Sequence, residues 1–129
     1  MIKREEIFIE LYDMIIEELK KFRMTDEYAR FIDGRVKDSI VDLLELKNDL
    51  MVICRKNDIE LVRKALTDNG VINSNEFIVN EEILGGFILL DRKKGFKINL
   101  TLDSILEENK AYIGKLIFDL LEEAGDVNG

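Results

Sequence analysis

Residues 83–121 read ILGGFILLDRKKGFKINLTLDSILEENKAYIGKLIFDLL, and in them two strands, a charged turn and a helix follow one another directly. Phe87-Ile88-Leu89-Leu90 is apolar at every position, which suits a strand covered on both faces or a short buried helix. The run is short, with Gly85-Gly86 before it and charges after it, and this decides for the strand. Asp91-Arg92-Lys93-Lys94-Gly95 is then a hairpin loop, with Gly95 able to take a positive φ near its end. Beyond it Phe96, Ile98 and Leu100 point one way and Lys97, Asn99 and Thr101 the other, the alternation of a strand with one buried and one wet face.

Thr101 has the side-chain oxygen of a helix cap, and Asp103 sets a carboxylate in the first turn, where the helix dipole favours negative charge. Leu102, Ile105, Leu106, Ile113, Leu116, Ile117, Leu120 and Leu121 then recur at spacings of three and four, with one weak place around Asn109. At roughly 1.5–3 kcal/mol per buried large side chain, this stripe represents on the order of 12–24 kcal/mol of gross burial. That predicts one long terminal helix lying on the sheet.

Taken together, the double glycine, the apolar strand, the charged turn, the alternating strand and a helix opening Thr-Leu-Asp-Ser and continuing Ile-Gly-Lys-Leu-Ile-Phe resemble the C-terminal domain of the E subunit of V-type and A-type rotary ATPases. Thr101, Leu102, Asp103, Ser104, Leu106, Ile117 and Phe118 fit that family's pattern, while Leu100 stands where Asn is usual and Ile105 where Arg is usual. The resemblance implies a non-catalytic component of the peripheral stalk, or stator. Such a component anchors the catalytic head against rotor torque during ATP-coupled ion transport, is cytoplasmic and lies peripheral to the membrane. The implied partners are a small coiled-coil stalk subunit of the G type and the catalytic and regulatory head subunits, with no cofactor, no nucleic acid and no membrane insertion.

The rest of the chain is compatible with this. Its 129 residues suffice for one domain with a real core, and a mixture of 47% hydrophobic and 36% charged residues is that of a folded chain. A formal net charge of −8 argues against sequence-independent nucleic-acid binding, which needs clustered Lys and Arg. The single cysteine, Cys54, excludes an intramolecular disulfide and, at the end of the apolar run Leu50–Ile53, reads as a small buried hydrophobe. No signal peptide and no apolar run of membrane-spanning length is present, so a cytosolic chain is expected.

From Ile2 to Arg23 the pattern is helical, with Ile7, Phe8, Leu11, Tyr12, Ile15, Ile16, Leu19 and Phe22 on one broad face. No cap precedes this helix, which suggests the remnant of a longer coiled-coil arm. Its stripe Ile7, Phe8, Leu11, Ile15, Leu19 and Phe22 is the candidate partner-binding surface, through which the isolated chain is also able to self-associate. Thr25 is the expected cap of a second helix carrying Tyr28, Phe31, Ile32, Val36, Ile40, Val41, Leu43 and Leu44, antiparallel to the first. Lys47-Asn48-Asp49 breaks it, Leu50–Cys54 forms a strand, Asp58 caps a third helix over Ile59–Leu66, and Asn69-Gly70 ends that helix. A strand over Glu76–Asn80 completes a crossover, which sets the two strands parallel. The expected fold is therefore α+β. Two N-terminal helices precede a small mixed four-stranded sheet (β-α-β-β-β) covered by the crossover helix and a long C-terminal helix, with residues 1–24 as N-terminal helix and residues 25–129 as globular domain.

Catalytic signals are missing. No Gly-x-x-x-x-Gly-Lys-Ser/Thr is present, and the absence of histidine removes the commonest general base and metal ligand. Paired glutamates such as Glu107-Glu108 diverge by about 100° on a helix and read as solvated faces, and Arg92-Lys93-Lys94 reads as a solvated turn. Catalytic, cofactor and metal residues are accordingly expected to be none. The alternatives are a stator protein of a flagellar or type III export ATPase and, from another class, a small α/β ligand-binding domain or enzyme.

Overall fold

The computed structural model describes residues 4–40, 50–71, 76–93 and 95–123. In chain order it contains helices α1 (Arg4–Phe22) and α2 (Glu27–Asp38), strand β1 (Leu50–Cys54), a short 3-10 turn (Lys56–Asp58), helix α3 (Ile59–Asp68), strands β2 (Glu76–Val79), β3 (Gly86–Asp91) and β4 (Phe96–Thr101), and helices α4 (Leu102–Glu108) and α5 (Lys110–Glu123). The expected α+β class holds, as does the β-α-β-β-β succession of a mixed four-stranded sheet. Val41, Leu43, Leu44, the break at Lys47–Asp49 and Lys94 lie outside the described residues.

The sheet order is β2-β1-β3-β4. β1 and β2 are parallel, as the crossover requires, while β3 is antiparallel to both β1 and β4. Register settles which side chains share a face: Val52 stands opposite Leu89 and Phe77, and Cys54 opposite Phe87 and Val79. One face, carrying Val52, Cys54, Phe87, Leu89 and Leu100, is buried beneath Tyr28, Ile32 and Val36 of α2, Val62 and Leu66 of α3, and Leu102 and Leu106 of α4. On the opposite face Met51, Ile53, Ile88 and Leu90 are only half-buried, so β3 is not covered on both sides. On β4 the expected burial fails at both ends: Phe96 is 46% exposed at the hairpin, whereas Thr101 is buried as the chain turns into α4.

The Asp91–Gly95 turn closes as expected, with Gly95 at φ 65° and its N–H donating to the Asp91 carbonyl at 2.9 Å. Thr101 caps α4, its Oγ1 accepting from the Ser104 N–H at 3.0 Å. Asn69-Gly70 ends α3, with the Val71 N–H returning to the Leu66 carbonyl.

Two other expected caps do not form. Thr25 Oγ1 turns back to donate to the Phe22 carbonyl at 2.7 Å, and Asp26 stands at the N-cap of α2 without making a side-chain cap bond. Asp58 precedes α3 but makes no cap bond either, because its carboxylate is taken by Tyr28.

The terminal helix is the largest departure. It breaks at Asn109, whose side chain donates to the Ile105 carbonyl and ends α4. From the expected stripe only Leu102, Leu106 and Ile117 are buried, so its gross burial falls to roughly 5–9 kcal/mol. Leu116 and Leu120 are 44% and 62% exposed. α5 instead lies against α1, where a Cβ on Gly114 would come within 3.4 Å of the Phe8 ring. The neighbour of α1 is thus α5 rather than an antiparallel α2, which α1 meets through Phe22 packed edge-to-face on Tyr28 and Phe31.

Candidate partner-binding surface

The six stripe residues of α1 divide into two groups. Ile15, Leu19 and Phe22, with Tyr12 and Ile16, pack onto the domain's own core. Ile7, Phe8 and Leu11 remain half-buried towards the other end of the helix, where Phe8 stacks on Tyr12 at 5.5 Å and Lys110 of α5 stands 5.9 Å over the Tyr12 ring. Between α1 and α5 runs an apolar groove of about 400 Å³ lined by Phe8, Ile9, Gly114, Ile117, Phe118 and Leu121, with Glu5 at its rim. Ile9 (58% exposed) on α1 and Leu116, Phe118 and Leu120 on α5 present further apolar surface. The sequence pattern does not mark these four as surface residues. Ile9 falls off the α1 stripe and Phe118 off that of the terminal helix, while the latter stripe assigns Leu116 and Leu120 to the sheet; the one available signal is the polar Asn109 interrupting it.

A second feature is polar and internal. Tyr28, 2% exposed, donates its hydroxyl to Asp58 Oδ2 and accepts from the Gly86 N–H, both at 2.7 Å. Burial raises the Asp58 carboxyl above its ordinary range, although Tyr28 and the nearby Arg55 and Arg23 pull the other way. Burial likewise pushes the Tyr28 hydroxyl up.

Around this pair, Arg23 donates to the Leu84 carbonyl at 2.9 Å, and Arg55 to the carbonyls of Glu81 and Ile83. Asp103 accepts from the Leu84 N–H, so the residues before β3 are held from three directions. Gly86 itself sits at φ 79°, and a Cβ there would lie 2.4 Å from the Leu100 carbonyl oxygen, so glycine permits the close strand approach.

A cleft of about 610 Å³ opens beside this corner, lined by Lys20, Arg23, Arg55, Glu81, Asp103 and Glu107 among others. Its two arginines and Asp103 are committed to backbone groups, which makes the arrangement a clasp for the 81–84 segment. A buried acid with a raised pKa is a candidate catalytic group, although structural networks shift pKa values in the same way. Here the carboxylate of Asp58 and the hydroxyl of Tyr28 are both engaged in holding the fold.

Among the described residues no cluster of three or more Cys, Asp or Glu is placed to hold a metal ion, and no helix is long and apolar enough to cross a membrane.

The family model described as ATP synthase (E/31 kDa) subunit matches residues 2–121. A curated relative, the V-type ATP synthase E subunit 2 of Clostridium tetani, is 28% identical over 117 residues, which are 91% of this chain and 57% of the relative. The chain thus spans little more than half the length of that protein. With the family match covering nearly all of it, from α1 into the last turn of α5, the chain belongs to the ATP synthase (E/31 kDa) subunit family.

Proposed function

We propose that this chain acts as a non-catalytic stator component of a V/A-type rotary ATPase, on the cytoplasmic side and peripheral to the membrane. In that role it holds the catalytic head against rotor torque while ATP chemistry is coupled to ion movement. The observation that carries the reading is the family match over nearly the whole chain. It favours the rotary ATPase over an export ATPase. The commitment of the buried acid Asp58 to Tyr28 is consistent with a structural role.

The partners are a small coiled-coil stalk subunit and the head subunits. Because Ile15, Leu19 and Phe22 pack inward, the contact with the coiled-coil partner centres on Ile7, Phe8 and Leu11 and on the groove that Phe8 lines together with α5. We assign residues 1–24 to the arm-proximal part of the chain and residues 25–129 to the part that meets the head.

The test is a pull-down of the tagged protein from its own organism, with the co-purifying chains identified by mass spectrometry. Recovery of rotary ATPase head subunits with a small coiled-coil protein supports the reading. Recovery of an export ATPase, or binding of ATP by the purified chain at micromolar affinity, sinks it.

A further inference from the structure

The face of the sheet turned away from the core is itself apolar. Register aligns Ile78, Ile53 and Ile88 in one row across β2, β1 and β3, and Met51 and Leu90 in a second row beside it. Ile78 is 39% exposed and the other four are half-buried. An antiparallel strand with one wet face normally places polar residues on it, and β4 does so with Lys97 and Asn99. β1 and β3 place aliphatics there instead, which neither the core nor the α1–α5 groove uses.

Three adjacent strands give this band a width of roughly 10 Å, the diameter of one α-helix. The margin has a definite charge. Lys97 flanks Leu90 in register, Lys93 follows at the hairpin, and neither ammonium makes an ion pair among the described residues. At the opposite margin Glu76 is already held by Arg92. On a chain of net charge −8, this edge is a local cationic exception.

We infer that the sheet face bearing Met51, Ile53, Ile78, Ile88 and Leu90 docks an amphipathic helix of another protein, one whose flank carries carboxylates that meet Lys97 and Lys93. The apolar rows supply the buried centre, and the lysines set the orientation. A second copy of this chain fits poorly, because it would bring the same cationic margin, and the acid that its β2 places on this face, Glu76, is occupied. The inference rests on the stator reading for where the partner is found, which is among the subunits of the head.

The test uses the full chain and the purified head subcomplex of the same ATPase. A photocrosslinking amino acid is placed at position 88 or 90, and the affinities of wild type, Ile88→Gln and Lys97→Glu are measured at low and high salt. The expected result is crosslinking to an acid-flanked helix of a head component. Binding should weaken about tenfold for Ile88→Gln and about fivefold for Lys97→Glu, the latter difference shrinking at high salt. Lys97 is exposed, so its variant is expected to fold, which thermal melting verifies.

If wild type binds the head while both variants bind equally well and no crosslink leaves positions 88 and 90, the docking face is refuted and the stator reading survives. A crosslink to a second copy of this chain refutes the assigned partner. Failure of wild type to bind the head counts against the stator reading, and the assigned partner falls with it.

Discussion

Replacing Tyr28 by Phe removes one oxygen from the interior and leaves the ring packing with Phe22 and Phe31 in place. Two bonds go with it. The Gly86 N–H, buried at the start of β3, loses its acceptor, at about 1–3 kcal/mol, and the buried Asp58 carboxylate loses a donor, at about 1.5–3 kcal/mol. Asp58 keeps Arg55 and Arg23 nearby, so a total of about 3 kcal/mol is expected rather than the sum of the upper values. For a domain of this size that corresponds to a fall in Tm of about 10 °C.

Equilibrium urea unfolding followed by circular dichroism measures it. A loss below about 1 kcal/mol at pH 7 would mean that Gly86 finds water or that the hydroxyl contributes little, and the account of this corner would be wrong. The companion variant Asp58→Asn keeps an acceptor for Tyr28 and removes the charge.

Burial raises the folded-state pKa of Asp58 above the ordinary 3.8, so between that value and the folded pKa the folded protein binds more protons than the unfolded one. The contribution of Asp58 is thus fully present at low pH and declines as pH rises through that window. The stability of Asp58→Asn relative to wild type should therefore increase from about pH 3.5 to pH 7. A constant or decreasing difference refutes the direction. Gly86→Ala places a Cβ against the Leu100 carbonyl in a backbone region costly for alanine, so a loss above about 3 kcal/mol, or insoluble protein, is expected; a melting temperature within a few degrees of wild type contradicts it. Thr101→Ala loses the α4 cap and should cost about 1 kcal/mol in chemical denaturation, with no effect if Ser104 finds another acceptor. Burial holds the Cys54 thiol up at about 12, and the residue is fully enclosed, so a thiol reagent at neutral pH should modify it only at the rate of unfolding. Rapid labelling in native buffer would show that the site opens locally.

The elements legible in the sequence are local ones. The Asp91–Gly95 hairpin, the Thr101 cap and the end of α3 depend on residues within a few positions of one another, and each forms as its pattern implies. The parallel β1–β2 pair follows from the connection between them. What stays hidden depends on distant partners. Asp58 has the identity and position of a helix cap, but Tyr28, 30 residues earlier, claims its carboxylate. The spacing of Leu116 and Leu120 is helical whether the helix lies on the sheet or on α1, and periodicity alone does not identify the neighbour. The apolar run of β3 reads as a doubly covered strand because a strand with one core face and one open aliphatic face produces the same letters. For the candidate site, the α1 stripe is visible but not its division into inward and outward halves, since α5 supplies the second wall of the groove.

The clasp around Gly86 also bears on how the chain is made. Tyr28 and Gly86 are separated by 58 residues and Arg23 and Leu84 by 61, so both N-terminal groups leave the ribosome well before their partners exist. At about 5–20 residues per second, Tyr28 waits roughly 3–12 s for Gly86. During that interval β1 lacks its antiparallel neighbour β3, and α1 exposes the leucines and isoleucines that later close the core. The order of synthesis therefore leaves the apolar surface of the N-terminal half without its partners until β3 has been made.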